Sequence, residues 1–301
     1  MPHKLFHGVL TAVTTPFDDA LAVDVSTLAQ HVRWQLEQGC HGVIPLGSLG
    51  EGQVLEEPEK RAVLRTCVDV AGTKPVVAGI GALSTRAAVR LAEAAAEVGC
   101  RGLMVLPPYA HRGPLREAVA HVAAVFAAVP LPCMLYNNPP AYGADFTPDV
   151  VAELAAQHAN LVALKESSGD ARRVTAVRAL CGDRLAVLVG LDDMLLEGVA
   201  AGAVGWVAGL VNAFPRESAQ LFALARAGRT DAARALYDWF LPLLRLDTLP
   251  DFVQRIKLVQ EAVGHGHHRV RPPRLPLDDA SRRATFVVLE RALATRPEVG
   301  A

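Results

Sequence analysis

The chain has 301 residues, 51% hydrophobic and 20% charged, with 30 Lys plus Arg against 31 Asp plus Glu and a formal charge of −1. That apolar fraction excludes global disorder, and the lack of a basic excess excludes a nucleic-acid binder that works by neutralising phosphates. The length allows about two ordinary domains or one large α/β barrel.

In chain order, apolar runs fall at 8–14, 41–46, 75–79, 102–106, 133–137, 161–165, 185–190 and 205–209. None alternates polar with apolar, which is the pattern of strands buried on both faces of a parallel sheet. Between them, apolar residues spaced three and four apart predict helices over 25–38, 57–71, 84–98, 115–128, 147–156 and 170–180, with an eighth barrel helix at 214–227. Asp24 and Ser84 suit N-caps, Pro148 a first helical position, and Gly39 and Gly99 left-handed C-caps. Eight strand–helix units at this spacing predict an α/β fold, a (β/α)8 TIM barrel over residues 1–227. A doubly wound sheet fits eight units less well. Three further helices, at 230–246, 252–263 and 278–295, predict a C-terminal helical appendage over 228–301.

The N-terminus has no basic region followed by an apolar stretch, and no apolar run approaches the ~20 residues of a membrane span. The five cysteines (Cys40, Cys67, Cys100, Cys133, Cys181) are widely spaced without Cys-x-x-Cys, as expected for reduced thiols. Together these features predict a cytoplasmic protein that binds neither membrane nor nucleic acid.

In a barrel, chemistry sits at the C-terminal strand ends. Lys165 closes the sixth apolar run and is one of only five lysines in the chain. It is either a strand-end lysine that snorkels or pairs with Glu166, or a nucleophile that forms a Schiff base. The second role requires the neutral amine. At an ordinary pKa near 10.4, about one amine in 2,500 is neutral at pH 7, a deficit of roughly 4.6 kcal/mol that burial reduces.

The segment Gly47-Ser48-Leu49-Gly50-Glu51-Gly52 follows the second run. It is an ordinary tight turn or an anion cradle of consecutive backbone N–H groups, and it lacks the lysine of a P-loop. Tyr136, near the end of the fifth run, is a rim aromatic or a proton carrier. Asp192 and Asp193 follow the seventh run as helix-capping carboxylates or as ligands for hydroxyls or a metal. The ten histidines show no metal-ligand spacing; His265, His267 and His268 lie in a Gly-rich connection outside the barrel. No Gly-x-Ser-x-Gly elbow is present.

Taken in order, Gly47-Ser48-x-Gly50-Glu51, Pro107-Pro108-Tyr109, Tyr136-Asn137-x-Pro139, Lys165-Glu166-Ser167-Ser168-Gly169-Asp170 and Gly190-x-Asp192 resemble the dihydrodipicolinate synthase and N-acetylneuraminate lyase family. The resemblance runs over nearly the whole chain. It implies a barrel with C-terminal helices, a homotetramer built as a dimer of dimers, and a small 2-oxo acid or imino acid substrate. It implies no cofactor and no metal beyond the covalent lysine imine.

Residue by residue, it implies that Lys165 forms the imine and Tyr136 shuttles protons. The Ser48–Leu49 loop would hold the substrate carboxylate and the Val207 carbonyl would face the reacting centre, with Ser167 and, more weakly, Asp192 contacting substrate hydroxyls. An imine conjugated to an anchored carboxylate is an electron sink, so the implied chemistry is coherent.

Three positions depart from the synthase pattern: Leu49 replaces a hydroxyl residue, Ala110 replaces the tyrosine lent by a partner subunit, and Ala141 replaces the arginine that binds the semialdehyde carboxylate. Loss of a charge-assisted carboxylate partner costs about 2–3 kcal/mol. The leading expectation is therefore a Schiff-base lyase of aldol cleavage, dehydration or deamination, acting on 1-pyrroline-4-hydroxy-2-carboxylate or a 2-keto-3-deoxy sugar acid. The same-class alternative is 4-hydroxy-tetrahydrodipicolinate synthase, and the alternative of another class is a barrel that binds a 2-oxo acid without turnover.

Overall fold

The computed structural model describes residues 5–298. Eight strands form one sheet: β1 (Gly8–Ala12), β2 (Gly42–Ile44), β3 (Val77–Ile80), β4 (Gly102–Val105), β5 (Cys133–Asn137), β6 (Leu161–Glu166), β7 (Ala186–Val189) and β8 (Gly205–Ala208). They run in the order β2-β1-β8-β7-β6-β5-β4-β3, every paired neighbour parallel. The remaining gap, between β2 and β3, is bridged where Val43 N donates to Pro75 O at 3.1 Å and Gly79 N to Pro45 O at 2.9 Å. The sheet is thus a (β/α)8 TIM barrel. Each strand is buried along its whole length, which is why none shows polar alternation.

The outer helices are α1 (Val25–Glu37), α2 (Glu57–Ala71), α3 (Thr85–Val98), α4 (Leu115–Ala128), α5 (Pro139–Tyr142), α6 (Pro148–Gln157), α7 (Arg172–Cys181), α8 (Leu195–Ala200) and α9 (Pro215–Arg226). Asp24 and Ser84 cap α1 and α3 by accepting from Thr27 N at 2.9 Å and Ala87 N at 3.3 Å. Gly99 ends α3 at φ 100°, a conformation that disfavours any side chain. The four-residue helix α5 has no counterpart in the apolar periodicity. It is set by Pro139 and Pro140 in its first turn and by Asn138, whose Oδ1 accepts from Ala141 N at 3.1 Å.

Three C-terminal helices follow: α10 (Thr230–Leu244), α11 (Phe252–Ala262) and α12 (Asp279–Ala294). The helix expected over 230–246 ends at Leu244 and tightens into a 3-10 turn over Arg245–Thr248. On α11, Gln260 Oε1 accepts from Thr14 Oγ1 at 2.7 Å, and Lys257 Nζ donates to Thr15 O at 2.9 Å and Glu51 Oε1 at 2.8 Å. Lys257, which reads in sequence as a lysine in an ordinary polar helix, is thus only 1% exposed and ion-paired inside the fold. All five cysteines are free thiols, and burial raises the Cys133 thiol to about 12. Among the described residues no helix is long and apolar enough to cross a membrane.

Candidate active site

Strand β6 sets Lys165 beside Tyr136 of β5 and Leu188 of β7. Successive strand side chains point to opposite faces, so Lys165 and Glu166 diverge. Glu166 accepts from Asn137 Nδ2 at 3.1 Å and Ser168 N at 2.6 Å and does not pair with the lysine. Lys165 is 6% exposed, with its Nζ 4.2 Å from the centroid of the Tyr136 ring. Its stem packs on Gly190, where an added Cβ would fall 2.8 Å from Lys165 Cε and 2.0 Å from Ser167 Oγ. Burial lowers the Lys165 amine to about 8, while the Asp247 and then the Asp192 carboxylates pull the other way. At pH 7 about one amine in ten is then neutral.

Tyr136 is buried and its hydroxyl accepts from Asn138 Nδ2 at 2.9 Å. Burial pushes the phenol up to about 12, with the Asn138 hydrogen bond acting to lower it. Three of the four tyrosines meet here: Tyr142 lies edge-on to Tyr136 with centroids 5.6 Å apart, and Tyr109 lies 5.7 Å from Tyr142. Tyr142, which sequence reasoning missed, shares a hydrogen bond with Ser48 Oγ. Its rarity and its place just after Tyr136-Asn137-Asn138-Pro139 were the available signals.

The loop after β2 is shaped by its glycines. An added Cβ at Gly50 would meet Val13 O at 2.8 Å, and at Gly52 it would meet Leu46 O at 2.2 Å. Leu46 and Glu51 adopt left-handed backbone (φ 65° and 54°), a strained state that persists where surroundings enforce it. Glu51 supplies that enforcement: its buried carboxylate accepts from Lys257 and, at 3.1 Å, from Arg271 N. The loop therefore presents Ser48 on a fixed frame while Leu49 is buried at 3% exposure. Among the described residues, the Ser48 and Leu49 N–H groups donate to no protein acceptor.

The other sequence-selected residues take different places. Ser167 is 1% exposed and its Oγ makes no hydrogen bond. Val207 is buried in β8, in register with Leu10 of β1. Asp192 neither caps a helix through its side chain nor offers free acceptors. Its oxygens accept from Trp206 Nε1 at 3.0 Å, Gly209 N at 3.1 Å and Leu210 N at 2.7 Å. It thus holds the end of β8 and contributes charge, and burial raises its carboxyl to about 6. Asp247, on the 3-10 turn after α10, is a second carboxyl group near Lys165; burial and then the Asp192 charge push it well above the usual carboxylate range, and nothing local in the sequence marks it. Ala141 sits exposed on α5; the exposed Arg112 guanidinium packs against Gly143 at the end of that helix. A groove of about 590 Å³ lined by Trp34, Arg216 and Arg296 shares no residue with this site.

A barrel whose strand ends bury a lysine of lowered pKa beside a tyrosine, with a turn whose Ser48 and Leu49 N–H groups have no protein acceptor, defines a lysine Schiff-base enzyme. The sequence matches the dihydrodipicolinate synthetase family model over residues 5–292, and the chain belongs to that family.

The 4-hydroxy-tetrahydrodipicolinate synthase of Agrobacterium fabrum is 33% identical over 290 residues, covering 96% of this chain and 99% of the relative. That of Methanospirillum hungatei is 33% identical over 285 residues, covering 93% and 96%. Among solved structures, the 4-hydroxy-tetrahydrodipicolinate synthase of Methylacidiphilum fumariolicum SolV superposes with a TM-score of 0.92 at 28% identity, covering 96% of each chain. A prophage protein of the family from E. coli K12, solved in complex with pyruvate, superposes with a TM-score of 0.90 at 27% identity, covering 96% of this chain and 99% of that one. The protein is accordingly an enzyme, a lyase of the Schiff-base class. The names of its relatives agree with the alternative drawn from the sequence, the synthase, rather than with the leading expectation.

Proposed function

We propose that Lys165 attacks the carbonyl or imine carbon of a 2-oxo acid or cyclic imino acid while the Ser48–Leu49 turn holds its carboxylate. The neutral amine adds to a carbonyl, the oxygen takes a proton through Tyr136 and departs as water, and the imine remains. The electrons of the adjacent bond then flow into that imine, and hydrolysis of the later imine restores Lys165. The imine is itself the electron sink, so this chemistry calls for no cofactor or metal. The observation that carries the reading is the buried Lys165 amine, lowered to about 8 and placed 4.2 Å over the Tyr136 ring.

Within the class, we favour cleavage, dehydration or deamination of a substrate with one carboxylate, such as 1-pyrroline-4-hydroxy-2-carboxylate or a 2-keto-3-deoxy sugar acid. Support comes from Ala141, which offers no charge to a second carboxylate.

The second reading is condensation of pyruvate with aspartate semialdehyde. The relatives' names favour it, and Arg112 beside Gly143 offers a guanidinium for the second carboxylate. Assay of both reactions with one preparation separates them: turnover of the imino acid or deoxy acid without semialdehyde condensation supports the first, and condensation alone supports the second. A pyruvate adduct without turnover on any of them would indicate a binding protein. Assembly as a homotetramer, proposed from the family resemblance, is tested by light scattering on the eluted protein.

A further inference from the structure

The short helix α5 ties the end of β5 to the turn after β2. Asn138 fixes it at its start: Oδ1 accepts from Ala141 N at 3.1 Å, while Nδ2 donates to the Tyr136 hydroxyl at 2.9 Å. Gly143 closes it at φ 76°, donating its N–H to Pro139 O at 2.8 Å. Tyr142, the last residue of α5, is thereby held edge-on to Tyr136, with the Tyr109 ring 5.7 Å away between centroids. Its hydroxyl meets Ser48 Oγ.

The two hydroxyls carry two protons, and one of them lies between the oxygens. Burial raises the Tyr142 phenol, so it stays protonated at neutral pH. Ser48 sits on the turn whose Ser48 and Leu49 N–H groups donate to no protein acceptor among the described residues. For the Ser48 hydroxyl to join those N–H groups on one anion, its proton must point outward. Tyr142 must then be the donor between the two side chains. The next position on the turn offers no help, since Leu49 has no hydroxyl and is 3% exposed. Ser48 is the only side-chain donor in Gly47–Gly52, so whatever orients it sets the strength of the cradle.

We propose that Tyr142 is a positioning residue for the substrate carboxylate: its hydroxyl donates to Ser48 Oγ and turns the Ser48 proton toward the anion. The proposal rests on the Schiff-base reading of Lys165 and deepens it. Without the phenol, the Ser48 hydroxyl is free to rotate and meets the carboxylate only part of the time. A donor oxygen that itself accepts a hydrogen bond is also polarised into a better donor. Acting through Ser48, Tyr142 bears on binding rather than on the chemical step.

The test uses the full chain, with cyanoborohydride trapping at Lys165 read by mass spectrometry over a range of pyruvate or pyruvamide concentrations. Pyruvamide keeps the 2-oxo group and lacks the negative charge. Tyr142→Phe keeps the ring against Tyr136 and removes only the hydroxyl. It is expected to raise the pyruvate concentration for half-maximal trapping about fivefold, the worth of one ordinary hydrogen bond, and that for pyruvamide by less than about twofold. In a Ser48→Ala background the same substitution should add less than about twofold, because the hydroxyl it orients is gone. In turnover, KM should rise while kcat stays within about twofold of wild type.

An unchanged half-saturation for pyruvate in Tyr142→Phe, or a full effect that persists in the Ser48→Ala background, overturns the proposal and leaves the Schiff-base reading standing. So does an equal rise with both ligands, which is what a purely packing role would give, or a fall in kcat with KM unchanged. No wild-type adduct with pyruvate overturns both.

Discussion

Lys165 Nζ stands 4.2 Å from the centroid of the Tyr136 ring, on strands whose register pairs the two residues directly. Neighbouring positions on parallel strands thereby deliver an amine and a phenol to one point. The ring excludes water from the amine, which lowers its pKa, and the phenol stays protonated and able to donate.

The pH profile should carry that shift. The reactive form is the neutral amine, so kcat/KM for a 2-oxo acid is expected to rise with pH and level off above an inflection near 8. An inflection near 10 would mean that burial does not act on Lys165. The stability sign follows from the same numbers. Between about 8 and 10.5 the unfolded chain holds a proton that the folded lysine has lost, so this group makes stability rise with pH across that window. Urea titrations at pH 8 and pH 10, comparing wild type with Lys165→Met, check it.

Tyr136→Phe keeps the ring over Lys165 and removes only the hydroxyl. Turnover should fall by about 10²–10⁴-fold, the usual worth of a positioned proton carrier, while slow adduct formation at Lys165 persists. Steady-state kinetics within about twofold of wild type would assign proton transfer elsewhere.

Ser48→Ala removes the hydroxyl proposed to hold the substrate carboxylate and frees Tyr142. KM should rise about tenfold with kcat little changed, because this contact is made equally in ground and transition states. A fall in kcat alone would instead put the hydroxyl in the proton path.

Lys257→Met leaves Glu51 buried without its cation under the strained turn. Unfolding free energy from urea titration should drop by about 3–5 kcal/mol, and Glu51→Gln in the same chain should recover part of it. A change below about 1 kcal/mol would show that Arg271 N and Arg274, 3.7 Å from Glu51, suffice.

The barrel was legible because burial on both faces leaves a plain mark: runs such as Leu161–Glu166 with no polar alternation, set between amphipathic helices. Lys165 stood out because a cation ending such a run violates that mark, and Tyr136 and Ser48 because they follow it at a strand end. The sequence could not show what depends on docking. Lys257 reads as an ordinary helix lysine until α11 lies on the loop carrying Glu51, and Asp247 as a turn residue until Gly209 opens a space for it. Asp192 has the position of a cap, yet three N–H groups from the β8 end and Trp206 claim its oxygens. Such contacts join residues far apart in the chain, beyond the reach of periodicity or spacing.

The central claim is that Lys165 is the covalent nucleophile. Incubation with pyruvate and borohydride, followed by peptide mapping, should place a reduced pyruvyl group on Lys165. Lys165→Ala should lose both that label and turnover, the latter by more than about 10³-fold. A wild-type protein that turns over a 2-oxo acid with no label, or with the label on another lysine, would contradict the account.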